Sequence, residues 1–253
     1  MSKIKLGIIV QARNSSTRFP RKLLKKFHQE NSLIDIVLNL LKTNFSNLEI
    51  VLATSNLECD NIFKSYCEKY DIKFFKGSHE NVLKRFVDAS SKHLFTHVVR
   101  ICSDNPFLIS TNINQIIELL YSNKEKDYIS FKMSNELPVI KSHLGLFGEI
   151  VSVSSLNKVL ELTYKKKYLE NVTEFIYENP AIFDILLVDA PKEVLNRYDL
   201  RFTLDDENDF FFLKEFYSNL HPKVDDLKEI VEKIKEKNDF KNHMISNIDK
   251  YSK

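Results

Sequence analysis

Short apolar runs alternate along this chain with longer stretches in which apolar residues recur every three to four positions. Ile4–Val10 is a brief Ile/Val-rich run with polar flanks, the pattern of a buried strand. Leu33–Leu41 has helical spacing, Glu49–Thr54 reads as a second strand, Cys59–Tyr70 as a helix and Ile72–Phe75 as a third strand. A helix over Glu80–His93, a strand over His97–Ile101, a helix over Asn112–Ser122 and a strand over Asp127–Phe131 follow. Strand-then-helix repeated over about 130 residues implies a mainly parallel sheet with helices on both faces, an α/β Rossmann-like fold. Ligands of such sheets bind beyond the carboxyl ends of the strands. Three loops are grouped there: the one after Val10, the one at Lys76-Gly77-Ser78 and the one after Ile101.

From Leu137 the pattern changes. Leu144–Val151 reads as a strand with a different pairing, Ser154–Thr163 and Leu169–Tyr177 as helices, and Ile182–Val188 as a strand. Arg201–Leu204 reads as a brief strand that leads into a Phe-rich helix over Asn208–Tyr217. Val224–Lys237 is a charged amphipathic helix, and the last dozen residues are expected to form a loose tail or a partner contact. With no Gly/Ser/Pro linker, repeat or low-complexity block, residues 1–220 read as one domain with halves at 1–135 and 136–220. A C-terminal helical extension then covers 221–253.

Composition narrows the function. A net charge of +2 over 253 residues carries no global field for nucleic acid. Cys59, Cys67 and Cys102 are odd in number and lack CxxC spacing, which argues against a disulfide framework or a structural zinc. No apolar run reaches membrane-spanning length, and the expected compartment is the cytoplasm.

Charge is unevenly placed, however. The first acidic residue is Glu30, and eight Lys and Arg residues precede it. The first strand runs into Gln11-Ala12-Arg13-Asn14-Ser15-Ser16-Thr17-Arg18-Phe19-Pro20-Arg21-Lys22, a basic, hydroxyl-bearing loop suited to a polyphosphate. It carries neither the P-loop nor the dinucleotide glycine pattern. Arg100-Ile101-Cys102-Ser103-Asp104-Asn105-Pro106 places an aspartate at the next strand's end, a hard oxygen ligand for Mg²⁺. Arg201-Phe202-Thr203-Leu204-Asp205-Asp206-Glu207 supplies a second carboxylate, with Asp205 read as a ligand and Asp206 as a helix N-cap. Gly77 permits a tight turn, Ser78 is placed to cap the following helix, and Arg85 lies two turns along.

Together these segments resemble the cytidylyltransferase family of SpsF-like and sugar-acid cytidylyltransferases. Gln11, Ala12, Arg13, Ser16, Arg18, Pro20 and Lys22 resemble its QARxxSxRxPxK signature. Gly77-Ser78-x-Glu80-Asn81-Val82-Leu83-x-Arg85, Arg100-x-x-Ser103-Asp104-x-Pro106, Glu170-x-Val172-Thr173 and Thr203-x-Asp205 resemble four further segments, in the family's order. The resemblance implies a nucleotide-diphospho-sugar transferase-like fold, with residues 1–135 as the nucleotide-binding half and 136–220 as the acceptor half. It implies CMP transfer from CTP to a sugar acid or a phosphorylated small acceptor, with pyrophosphate release, for capsule or surface polysaccharide. Some such pathways activate non-sugar phosphates, including phosphoglutamine. A non-catalytic nucleotide-binding module on the same fold is the alternative of a different class.

The resemblance further implies that Arg13 and Lys22 act in catalysis and that Asp104 and Asp205 hold Mg²⁺. Gln11, Ala12, Arg13, Ser16, Arg18, Lys22, Ser78, Arg85 and Ser103 would bind nucleotide. Lys132, Lys141, His143, Glu149 and Glu170 are the acceptor candidates. Relatives often dimerise through the acceptor half, so a homodimer is compatible. Two positions depart from the family: Phe147 stands where many relatives carry Asp, and Asn171 replaces a His.

Overall fold

A computed structural model describes residues 3–15 and 18–251, with Asn238 described in its backbone only. The first half comprises β1 (Leu6–Gln11), β2 (Lys26–His28), β3 (Asn31–Ser32), α1 (Leu33–Asn44), β4 (Glu49–Ser55), α2 (Phe63–Tyr70), β5 (Lys73–Gly77), α3 (Val82–Lys92), β6 (His97–Cys102), α4 (Ser110–Ser122) and β7 (Tyr128–Lys132). The second comprises β8 (Glu149–Ser152), α5 (Val153–Leu162), α6 (Lys166–Glu170), α7 (Glu174–Glu178), β9 (Ile185–Asp189), α8 (Glu207–Leu220), α9 (Leu227–Lys235) and α10 (Asn238–Lys250).

Seven strands form one sheet in the order β5-β4-β1-β6-β8-β7-β9. β1 pairs in parallel with β4 and with β6, and β4 with β5. The chain leaves β1 toward β4 and β5, then crosses back to lay β6 on the other side. That reversal opens a crevice at the carboxyl ends of β1 and β6. β8 runs antiparallel to both β6 and β7, while β9 closes the edge in parallel with β7. The different pairing read for Leu144–Val151 is therefore present, confined to Glu149–Ser152.

Strand alternation sends β1 side chains to two cores. Ile8 and Val10 join α1, α4 and the C-terminal helices on one face, whereas Ile9 joins α3 and α5 on the other. Helices thus cover both faces of the sheet.

Several local readings change, and the helix read for Leu169–Tyr177 is instead two short helices, α6 and α7. The third helix begins at Val82 rather than Glu80, because Asn81 is its N-cap and accepts from the Lys84 N–H at 2.8 Å. Ser78 Oγ instead accepts from the Asn81 N–H at 3.1 Å. Residues 201–204 form no strand, for β9 already occupies the sheet edge beside β7. The expected loose tail is the helix α10, whose Phe240 and Met244 are buried in the main core. The small β2–β3 hairpin had no clear alternation to reveal it. Among the described residues, no helix is long and apolar enough to cross a membrane.

Candidate active site

Two adjoining cavities open at the carboxyl ends of β1 and β6. The smaller, about 150 Å³, is lined by Gln11, Arg13, Arg18, Lys22, Ser103 and Asp104 among others. The larger, about 260 Å³, is walled by Ser130, Ser142, Gly145, Phe147, Asn171 and Thr203 among others. Arg18, Cys102, Asp104 and Asp205 line both. The two carboxylates read from separate sequence motifs therefore stand on the shared wall, 101 positions apart in the chain.

Each of these carboxylates is held by a cation of the opening loop. Lys22 Nζ lies 2.7 Å from Asp104 Oδ2 and 2.5 Å from the Leu204 carbonyl oxygen. Arg18 Nη2 lies 2.7 Å from Asp205 Oδ1, and Arg201 Nη2 lies 2.6 Å from Asp205 Oδ2. Arg201 is buried and also bonds Asp209, so it anchors Asp205 from behind. Asp206 turns the other way. It caps α8 by accepting from the Asp209 N–H, as its position before the Phe-rich run predicted.

The remaining nucleotide candidates sort by position. Gln11 lines the smaller cavity, and its Oε1 accepts from Arg100 at 3.3 Å. Ser103 is buried on the same wall. Ala12 is buried in the core, and its N–H donates to the Ala53 carbonyl at 3.3 Å. Ser16 lies outside the described residues. Arg85 lines neither cavity, and is fully buried with Nη1 donating to the Ser78 carbonyl at 2.8 Å. Its Nε and Nη2 have no hydrogen-bond partner among the described residues, and burial together with nearby Arg13 lowers its pKa to about 10. Gly77 makes room for it, since a Cβ there would sit 2.8 Å from Arg85 Cγ.

The acceptor candidates divide as well. Glu149 lies at the base of the larger cavity, buried, with its carboxylate accepting from Arg100 Nη1 at 2.5 Å, from Thr173 Oγ1 at 2.8 Å and from the Tyr128 hydroxyl. Burial alone would lower the Arg100 pKa, but Cys102 and Glu149 hold it above its ordinary range. Burial and the Glu149 charge raise the Tyr128 hydroxyl well above its own. Glu170 faces Arg13 across 3.7 Å and links the opening loop to the second half of the chain. Lys132, Lys141 and His143 are absent from both cavity walls. They bond Glu136, Glu174 and Arg201 respectively.

Several wall residues fell outside the named site candidates, although Phe147 and Asn171 stood out as departures from the family pattern. Phe147 packs against Phe131 with the rings tilted at 47° and their centroids 5.1 Å apart, and forms an apolar wall of the larger cavity. Gly145 has φ +61°, and a Cβ there would approach the Phe202 backbone to 3.1 Å, so the turn beneath this cavity requires glycine. Ser130 was legible in principle as a hydroxyl within an otherwise apolar strand. Asn171 and Thr203 were visible as residues of matched motifs, but no pattern marked them as cavity-lining.

A mainly parallel α/β sheet with a basic loop and two carboxylates beside the carboxyl ends of its strands is the architecture of the nucleotidyltransferase class. Residues 7–246 match the cytidylyltransferase family, and the chain belongs to that family and is a cytidylyltransferase. An uncharacterized protein of Methanocaldococcus jannaschii is 31% identical over 234 residues, covering 92% of each chain. The spore coat polysaccharide biosynthesis protein SpsF of Bacillus subtilis is 28% identical, covering 86% of this chain and 88% of its own. A solved cytidylyltransferase from Leptospira borgpetersenii superposes with a TM-score of 0.83 at 22% identity, covering 94% of this chain and 97% of its own.

Proposed function

We propose that this protein transfers CMP from CTP to a sugar acid or a phosphorylated small acceptor, releasing pyrophosphate, for a surface polysaccharide. The observation that carries this reading is the pair of adjoining cavities with Asp104 and Asp205 on their common wall. A basic cavity and a hydroxyl-lined one suit a triphosphate donor and a polar acceptor respectively. The relationship to SpsF supports the polysaccharide role.

Asp104 and Asp205 fit Mg²⁺, for two carboxylates with phosphate oxygens and water complete a hard-oxygen shell. A bound Mg²⁺ would neutralise charge on the triphosphate and on departing pyrophosphate. Arg13, Arg18 and Lys22 hold the β- and γ-phosphates, leaving the α-phosphorus facing the larger cavity. An acceptor oxygen bonds to that phosphorus, the bond to the α–β bridging oxygen breaks, and pyrophosphate leaves against Lys22 and Arg13. Where the acceptor oxygen belongs to a phosphate it already carries charge and needs no base, whereas a sugar-acid hydroxyl passes its proton to water as the bond to phosphorus forms. Ser130, Ser142, Asn171 and Thr203 orient its remainder by hydrogen bonds, with Phe147 covering an apolar part.

Incubation with CTP, Mg²⁺ and a panel of sugar acids and phosphorylated acceptors tests this, with pyrophosphate followed continuously. Release that depends on one acceptor class is expected. No release with any of them, together with no CTP binding by calorimetry, would overturn the reading.

A further inference from the structure

Tyr251 lies just beyond α10, more than 225 residues from the opening loop, yet its ring meets two guanidiniums of the site. Arg18 Cζ stands 5.2 Å and Arg201 Cζ 5.0 Å from its centroid. These same groups grip the two oxygens of one carboxylate, Arg18 on Asp205 Oδ1 and Arg201 on Oδ2. An aromatic face attracts such cations and tolerates a change in their other partners, because the attraction comes from the ring itself.

The ring is fixed in turn. The Tyr251 hydroxyl donates to Asp206 Oδ2 at 2.7 Å, beside Lys250 Nζ at 2.9 Å from the same oxygen. One turn earlier, buried Asn247 donates to Asp209 Oδ1 at 2.6 Å. Burial would raise the Asp206 carboxyl, but bonds from the Asp209 N–H, Lys250 and Tyr251 hold it well below the usual range. The end of α10 is thus bonded to the Asp205–Asp209 turn at three side chains. Arg18 itself is more than half exposed and lines both cavities, so it is a cation in need of placement.

We infer that Tyr251 is a positioning residue for the nucleotide. Its ring keeps Arg18 at the junction of the two cavities as that guanidinium passes from Asp205 to the triphosphate. Resting on the function proposed above, this makes the C-terminal helix part of the donor site rather than an appendage.

Mg·CTP binding to the full chain, measured by calorimetry, tests it. Tyr251→Ala should weaken binding about fivefold, the scale of a partly exposed cation–π contact. Tyr251→Phe keeps the ring and should stay within about twofold of the parent. In an Arg18→Ala background, Tyr251→Ala should change affinity no further, an outcome a merely structural role would not give. If Tyr251→Ala fails to fold, Tyr251→Leu keeps bulk without a π face and should show the same loss. Equal affinity in the parent and in the Ala or Leu variant overturns this inference alone, as do additive losses in the Arg18→Ala background. Absence of Mg·CTP binding by the parent overturns the underlying function as well.

Discussion

Lys22 and Asp104 are ion-pair partners, Nζ to Oδ2 at 2.7 Å, although the proposed reaction assigns one to the triphosphate and the other to the metal. Arg18 and Asp205 repeat the relationship at 2.7 Å. On the proposed assignment Lys22 and Arg18 are thus each held by a metal-binding carboxylate, and a metal–nucleotide complex would satisfy all four groups by exchanging partners. Metal alone would have to displace two cations, and nucleotide alone would have to draw them from two carboxylates.

The first prediction is therefore that CTP and Mg²⁺ bind interdependently. Calorimetry should show weak binding of either one alone and tight binding of both together. Asp104→Asn should lower turnover by about a hundredfold or more, the scale of losing one preorganised charge at a phosphoryl centre, while CTP without metal binds at least as well as before. Tight metal binding without nucleotide, or near-normal turnover in Asp104→Asn, would contradict the exchange.

Phe147 separates the two halves of the site. It lines the larger cavity and not the smaller, and it is only 6% exposed against Phe131. Phe147→Ala should change the acceptor KM severalfold and leave Mg·CTP affinity unchanged. The truncation should also cost about 3 kcal/mol of stability, at the low end for a buried Phe because one side already faces a cavity. Steady-state kinetics beside urea unfolding resolves the two effects. An equal effect on both substrates would mean that the cavities do not divide donor from acceptor.

The Arg100–Glu149 pair is buried on both sides and bonded further by Tyr128 and Thr173. Removing one partner leaves a charge without compensation in the interior. Glu149→Ala should destabilise the fold by about 3–5 kcal/mol, whereas Tyr128→Phe should cost only about 1–2 kcal/mol. Chemical denaturation of both variants checks the order. A Glu149→Ala protein as stable as the parent would show that Arg100 finds water or another anion.

Much of this architecture was legible because its elements are local. The run before Gln11, the helical spacing of Leu33–Leu41 and the strand at His97–Ile101 each bury a face that sequence periodicity displays. Asp104 and Asp205 were readable as chemistry because each follows an apolar segment and belongs to a matched motif. Lys132, Lys141 and His143 read as acceptor cations on composition alone, and spacing could not show that Glu136, Glu174 and Arg201 would claim them. The tail was opaque for a similar reason. Asn247 and Tyr251 are unremarkable in an α-helical pattern, and their partners lie some forty positions upstream.

The last prediction concerns pH. His28, His97 and His243 all have pKa values lowered from 6.5, with burial the largest cause in each. His221 adds to the shift at His28, whereas Asp127 and Asp209 oppose it at His97 and His243. A buried neutral imidazole binds fewer protons folded than unfolded, so stability rises with pH through this range. The contribution is complete above the unfolded pKa of about 6.5 and is lost as pH falls toward the folded values. Asp199, Asp206 and Asp209 have lowered pKa values too, but their contributions disappear only at more acidic pH, below the ordinary carboxylate range. The urea midpoint should therefore fall between about pH 7.5 and 5.5, above the range in which Asp199, Asp206 and Asp209 take up protons. His97→Gln should flatten that fall, since Gln cannot take up the proton. A midpoint unchanged across this interval would mean that the three imidazoles protonate in place without opening the fold.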